Sequence, residues 1–592
     1  MFAAAPFALG VSLLLLGLLL AAATPQKNPS THASTRPVPR RIAKSTRSLP
    51  PAPVKLHKSI AAPPASIQGV KAQLLSYSGG LRSYFEPCGC QADMLGGMAR
   101  LSTLMDGYRN LGLTLFKVDT GNLFFEKLKV SKTQKKQNEL KANLLAETFK
   151  RLGYQVMGVG PHDLLRGTAF FAKMNGISGV KAVSSNLVSQ KGSKLPWSST
   201  LVRQLHGHKV GFLSLTAAPL VRKGQPSLPS GYWQKRGLRL LKPMVAAKAA
   251  VASLKKAGAK RIILLSTLGL DRLQAVLEKV KGVDIAIDGH EGVGLAEPRR
   301  VNGALVFSIP KEGQKLGVIA LYERKAGAAW DGIQTPTQVQ AQIKALKSQL
   351  LANLRQARLM TKQGPAFAVV AKVYIKQAAN QQKQIAALKA VIKTLPRLPK
   401  KGNGLLHMLV GLSSKLPDNT TVRARISRYE KDAKKANLDA LAKIKPIPLT
   451  RDGNFYAGVN KCRMCHQPAY AFWKKHRHAK AWATLVNKNK QFDLDCVGCH
   501  VVGWQKPGGL WKLKKPDRLV NVQCESCHKH GGLHARTADK KRIKRMVAEA
   551  TCRQCHQGSH DPNFNYRQKL KLILGKGHGE KRLKQLIAED KK

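Results

Sequence analysis

Acidic residues are scarce in this chain. Against 101 Lys+Arg stand 32 Asp+Glu, a formal charge of +69 over 592 residues, and the first carboxylate side chain is Glu86. Self-repulsion is severe in so basic a chain unless anions or an acidic partner are near. Cysteine is sparse too: ten residues are too few for a disulfide scaffold of this size. After the N-terminus no apolar run is long enough to span a membrane, while a hydrophobic content of 43% excludes wholesale disorder. The length suits about three or four domains. The cysteines are unevenly placed, with Cys88 and Cys90 apart from eight others between Cys462 and Cys555.

Residues 8–23, ALGVSLLLLGLLLAAA, form an apolar run ending in small residues. Residues 1–24 therefore read as an export signal or, since no positive charge precedes Lys27, an uncleaved N-terminal anchor. Residues 25–66 are rich in Pro, Ser, Thr and Ala and carry eight Lys/Arg, the composition of a disordered basic tether. An anionic envelope surface is one partner open to it. The expected location is periplasmic or otherwise exported.

Four pentapeptides dominate the C-terminal part: CRMCH (462–466), CVGCH (496–500), CESCH (524–528) and CRQCH (552–556). C-x-x-C-H is the form of covalent c-type haem attachment. Two thiols add to the porphyrin, and the adjacent histidine reaches the iron. The cofactor-binding residues are Cys462, Cys465, His466, Cys496, Cys499, His500, Cys524, Cys527, His528, Cys552, Cys555 and His556, and the expected cofactor is haem c, four covalently bound copies. Paired C-x-x-C units also build zinc sites, but zinc does not need a histidine after every pair. Four disulfides would leave those histidines without a role. His476, His478, His530, His534, His560 and His578 are spare imidazoles for the opposite iron faces.

From about Tyr456 to His578 the segment resembles the tetrahaem cytochrome c-554 family. The stretches that carry the likeness are YAGVNKCRMCHQPAYAFWKKHRHAKAW, DCVGCHVVGW, VQCESCHKHGGLHA and TCRQCHQGSHDPNFNY, with a late histidine after them. The resemblance implies His478, His534 and His578 or His560 as distal metal ligands, and one five-coordinate haem beside three bis-histidine ones. CESCHKHGG departs from the family's usual CHGPG, which leaves His530 as a substitute ligand or an exposed residue. The motifs are closely spaced, so the macrocycles are expected to supply most of the interior, and the segment is not expected to fold without them.

Residues 67–325 alternate short β-rich runs with helical stretches, as in LTLFKVDTG (113–121), KVGFLSLT (209–216), KRIILLST (260–267) and VDIAIDG (283–289). This order resembles the metallophosphatase domain of the 5′-nucleotidase family, which implies a two-metal site. The positions that would hold the metals are mostly replaced. Serines of LLSYSGG stand for the first Asp-x-His, Asn122 for the bridging aspartate, Pro161 for the amide, Thr267 for a histidine and Gly292 for the last imidazole. His290 persists, and His162 and Asp163 remain beside Pro161. A neutral Asn cannot replace a carboxylate between two dications, so phosphatase activity is expected to be absent. Cys88 and Cys90, in EPCGC, suit a disulfide, a soft-metal site, a redox pair or an inert loop alike.

Residues 335–445 are rich in Ala, Gln, Lys and Leu and are expected to form a helical spacer with a dimerising coiled coil as one option. They lack the aromatic interleaving of nucleic-acid binders, and no nucleic-acid partner is expected. The expected fold class is multidomain: an α/β metallophosphatase-like sandwich, the helical spacer, and a mostly α multihaem cytochrome c domain at 453–580 with little regular structure. The leading function is electron transfer by an exported tetrahaem cytochrome fused to an inactive nucleotidase-like domain, with an acidic redox partner. Two alternatives stand beside it. One is an oxidoreductase that uses an open-coordination haem on a small nitrogen or sulfur compound, and the other a nucleotide- or phosphate-ester-binding module coupled to a cytochrome.

Overall fold

The structure, a computed structural model, describes residues 61–87, 94–128, 130–205, 207–217, 231–290, 294–325, 327–445, 447–513, 517–556, 561 and 564–590. All of them belong to one compact unit, Pro53–Lys592. The apolar run 8–23, most of the tether, Cys88, Cys90, Gly292 and His560 lie outside the described residues.

Two sheets face each other. The first has seven strands in the order Trp330–Gly332, Asn403–Gly411, Lys315–Tyr322, Gln73–Ser78, Leu115–Asp119, Val156–Gly158 and Lys181–Val183. The last four run parallel, with Leu74 opposite Leu115 and Val118 opposite Val156. The second has six strands, Arg299–Val301, Ala304–Ser308, Ile285–Asp288, Arg261–Ser266, His208–Leu215 and Thr200–Leu205, parallel at its centre and antiparallel at both edges. Strands covered on both faces read as unbroken apolar runs, which is why RIILLS and IAID carry so few polar residues. Leu75, Tyr77, Phe116 and Val118 meet Phe212, Ile263, Leu265 and Ile287 between the sheets, and Phe116 stacks on Phe212 at 5.5 Å.

Helices cover the outer faces. Met98–Asn110, Lys135–Leu152 and Gly167–Ser178 pack on the first sheet through Leu104, Leu145, Phe149 and Phe171. Pro243–Lys256 and Leu270–Lys279 pack on the second through Ala247, Leu254, Leu273 and Leu277. The result is a four-layer α/β sandwich.

The stretch 335–445 differs from a plain helical spacer. Pro336–Lys362 and Ala368–Ile392 form a hairpin joined at its base by Val339, Ile343 and Ile385. The first helix starts in a capping box: Thr335 Oγ1 accepts from the Gln338 amide at 3.2 Å while Gln338 Oε1 accepts from the Thr335 amide at 2.9 Å. Asn403–Gly411 then enters the first sheet antiparallel to Lys315–Tyr322. Its Leu405 faces the other sheet and Leu406 the helical layer, both buried. Thr420–Ala442 packs on that layer through Val422, Ile426 and Tyr429. The α/β sandwich is thus completed by a strand that follows the hairpin.

The C-terminal part is a chain of short helices: Val459–Cys465, Gln467–Lys475, Leu494–His500, Cys524–His528, Gly532–Thr537, Glu549–Cys552, Tyr566–Ile573 and Glu580–Glu589 among them. An apolar cluster of its own, Tyr456, Leu494, Val497, Val502, Leu510 and Leu519, gathers around the second motif with Leu441. The helices Gln467–Lys475, Glu549–Cys552 and Tyr566–Ile573 bury no residue. No helix among the described residues is long and apolar enough to cross a membrane.

Candidate haem-binding site

Three of the four motifs sit on a helical turn. Residues three and four apart share a helix face, so both thiols and the following histidine of each motif point to one side. Val459–Cys465 presents Cys462 and Cys465, Leu494–His500 presents Cys496, Cys499 and His500, and Cys524–His528 presents Cys524, Cys527 and His528. In the fourth, the Glu549–Cys552 helix ends on its first cysteine and the His556 amide donates to the Cys552 carbonyl at 2.9 Å. No disulfide joins the eight motif cysteines. The Cys462 thiol donates to the Gly458 carbonyl at 3.7 Å.

The imidazoles also come in pairs. Ring centres lie 6.2 Å apart for His466 and His534, 6.1 Å for His478 and His556, and 6.1 Å for His528 and His578. Two imidazoles on opposite faces of one metal, bonded at about 2.0 Å through Nε2, place their ring centres roughly 6 Å apart. Each pair joins a motif histidine to one of the three distal candidates.

Hydrogen bonds at the other ring nitrogen agree with this. Nδ1–H donates to the Lys544 carbonyl in His528 at 2.7 Å, to Ile573 in His578 at 2.7 Å, to Asp539 in His534 at 3.0 Å and to Ala481 in His500 at 2.7 Å. His556 Nδ1 donates to Asp561 Oδ2 at 2.9 Å. Fixing the tautomer in this way leaves Nε2 as the lone-pair nitrogen, the usual arrangement behind a ligating histidine. Burial, with His476 and His556 alongside, pushes His478 down to about 4, so its ring is neutral at ordinary pH. His530 is turned the other way. Its Nε2 donates to the Pro507 carbonyl at 3.0 Å and its ring lies on Tyr456 at 4.1 Å, so the family's departure at CESCHKHGG has a packing role. His476 Nδ1 accepts from the His478 amide at 3.3 Å.

Two residues that no motif marks out hold the first and third motifs together. Glu525 is buried and accepts from the amides of Ala457 at 2.9 Å, Gly458 at 2.7 Å and Gly531 at 2.8 Å. Gln523 accepts from the Val459 amide at 2.7 Å and donates to the carbonyls of Arg518 and Val520. Glu525 is the one acidic residue inside the four pentapeptides, a signal the sequence offered.

The second motif is fastened to the α/β sandwich. Asp495, one residue before Cys496, accepts from Lys141 at 2.6 Å and from Gln137 at 3.0 Å, and Asp493 accepts from Gln137 at 2.6 Å. Burial opposes charge on Asp495, but the Lys141 ammonium overcomes it and holds the carboxyl below its ordinary value. Nearby, Lys490 pairs with Glu86 and with Glu430 at 2.9 Å, and Arg423 reaches Glu86 at 2.7 Å.

At the strand ends of the sandwich the surviving polar residues serve the backbone. Asp163 accepts from the amides of Asn122, Leu123, Phe124 and Gly160. Asp119 accepts from Ser78 Oγ at 2.5 Å and the Gly121 amide, and Asp288 from Ser266, Gly269 and His290. Thr267 Oγ1 accepts from the Ala217 amide, Asn122 Oδ1 from the His162 amide, and His162 Nδ1 donates to the Phe125 carbonyl. Burial raises Asp119 to about 7 and Asp163 and Asp288 to about 6. Among the described residues no three His, Cys, Asp or Glu side chains converge as a site for a metal ion, whereas a haem iron needs one or two imidazoles.

Residues 461–529 match the cytochrome c554 and c-prime family. The chain is also 35% identical over 91 residues to cytochrome c-554 of Nitrosomonas europaea, a match covering 13% of this chain and 39% of that protein. Among solved structures, a 5′-nucleotidase precursor from Thermus thermophilus superposes with a TM-score of 0.39 at 16% identity, covering 74% of this chain and 71% of that one. The NAD nucleotidase of Haemophilus influenzae does so with a TM-score of 0.34 at 16% identity, covering 42% and 47%.

Proposed function

We propose that this chain is an exported, periplasmic tetrahaem c-type cytochrome that passes electrons, joined to a nucleotidase-like domain without phosphatase activity. The observation that carries the reading is the three imidazole pairs at about 6 Å, each uniting a C-x-x-C-H histidine with a distal histidine. His466 with His534, His528 with His578 and His556 with His478 would hold the irons of three haems, and His500 that of the fourth. Bound haem supplies a reversible one-electron couple. This chain's residues would anchor it through the cysteines and orient the imidazoles of His500, His528, His534, His556 and His578 through their Nδ1 bonds.

The positive charge favours an acidic redox partner. Haem propionates offset only about 8 of the charges, two per haem, against a formal +69. Opposite potentials speed encounter more than they tighten the complex. The inactivity of the α/β domain is supported by the backbone duties of Asp119, Asp163 and Asp288, which leave their carboxylates turned into hydrogen bonds rather than gathered around a cavity.

Substituting distal histidines one at a time tests the reading. His478→Ala, His534→Ala and His578→Ala should each convert one low-spin haem to high-spin in the electron paramagnetic resonance spectrum, while His530→Ala should leave every haem unchanged. A His530→Ala spectrum that loses a low-spin haem, or three distal variants that lose none, would refute the pairing. Carbon monoxide added to the reduced wild type reports the fourth haem: with His500 as its one protein ligand a minor part of the Soret band should shift, and turnover of a small nitrogen or sulfur compound at that haem, rather than the shift, would favour enzyme over carrier.

A further inference from the structure

The hairpin of Pro336–Lys362 and Ala368–Ile392 carries nine Lys/Arg and no acidic residue over residues 336–392. Its outer half is built inside out. The seam there is lined by Ala357, Ala371 and Ala378, each buried, while the larger apolar side chains face outward. Val369 is 74% exposed, Ile375 53%, Val373 50%, Leu359 46% and Phe367 42%. An ordinary surface helix turns its large apolar residues to the core and its polar ones to water. Small residues at the seam let the helices approach closely and free the bulky ones for another contact. Five basic residues, Arg355, Arg358, Lys362, Lys372 and Lys376, frame the exposed group.

We propose that the end of this hairpin, residues 359–376, is a docking surface for an anionic phospholipid bilayer. Apolar side chains with a fringe of Lys and Arg, and no carboxylate to repel phosphate, match the boundary between headgroups and acyl chains. Exposed clusters of this kind mark interaction sites on soluble proteins. A second copy of the chain fits poorly, since it would bring the same unbalanced positive charge to the contact. Seating the hairpin on a membrane would confine a redox protein to two dimensions beside membrane-bound partners.

The test uses the full haem-loaded chain, sedimented with phosphatidylcholine vesicles made with and without phosphatidylglycerol. Binding is expected only to the anionic vesicles. V369S/V373S should lower partition roughly tenfold, and K362Q/K372Q/K376Q should lower it at least tenfold, with added salt acting likewise. Both variants change exposed residues and should keep the wild-type Soret spectrum and melting temperature. Hydrogen exchange should show protection of 359–376 on anionic vesicles, which separates this surface from any effect of the apolar run at 8–23. Equal binding to both vesicle types, unchanged partition of either variant, or protection that spares 359–376 would overturn the proposal. So would a wild-type dimer in sedimentation equilibrium that V369S/V373S dissolves without lipid, because the occupant would then be a second copy.

Discussion

Single side chains decide how firmly the haem motifs are held. Glu525 stitches the third motif to the segment before the first through the amides of Ala457 and Gly458, and holds its own chain through that of Gly531. Glu525→Gln replaces one accepting oxygen by a donating amide and leaves a buried N–H facing it. The expected loss is about 2–3 kcal/mol of stability in the haem-loaded protein, read from denaturant unfolding followed at the Soret band; a loss below about 0.5 kcal/mol would mean the staple is dispensable. Lys141 and Asp495 form a buried pair, so Lys141→Met should cost about 3–5 kcal/mol by stranding the carboxylate, and adding Asp495→Leu should recover part of it. The buried carboxyls of the sandwich predict a pH effect of the opposite kind. An unfolded chain gives up these protons near about 3.9, while the fold retains them to about 7 at Asp119 and about 6 at Asp163 and Asp288. Within that window the folded state binds more protons, so stability falls as pH rises through it. Amide exchange in Leu115–Asp119, corrected for its intrinsic rate, should quicken from the low to the high end of the window. Asp119→Asn should flatten the trend, and an unchanged slope would contradict the assignment.

At the scale of elements, much of the architecture was legible and the missing parts share a cause. The apolar runs around Leu115–Asp119, His208–Leu215, Arg261–Ser266 and Ile285–Asp288 read as strands because each is buried on both faces. The twelve motif residues declared themselves through spacing. The late strand Asn403–Gly411 did not, because a single apolar run between long helices carries no sign of which sheet it joins. The second haem motif's attachment to the sandwich was equally hidden, since Lys141 and Asp495 are 354 residues apart. Distal histidines fell between these cases: six candidates were visible, but only folding shows that His530 spends its Nε2 on a carbonyl. The strand leads to a truncation experiment. A chain ending after residue 325 would lose Leu405, Leu406 and Leu416 from the core, at about 1.5–3 kcal/mol for each buried side chain. It should aggregate on expression, whereas a chain ending after residue 445 should stay in solution; equal solubility would place the boundary earlier.

The whole molecule, once loaded as proposed, joins a protein core to a cofactor core. The sandwich buries its own apolar residues on both sides of each sheet. Around the first, third and fourth motifs the short helices bury almost nothing, and among the described residues only the second has an apolar cluster of protein side chains. With all eight motif cysteines changed to serine, limited proteolysis should therefore cut first within 459–480 and 524–590 and spare the sandwich. Cleavage spread evenly along the chain would argue against a cofactor-built interior. The central claim is more directly open to one measurement, the haem content of the chain matured in a host that attaches c-type haem. A pyridine haemochrome spectrum with intact mass should report four porphyrins per chain, all retained after acid–acetone extraction. A protein that carries fewer, or that surrenders its colour to the solvent, would contradict it.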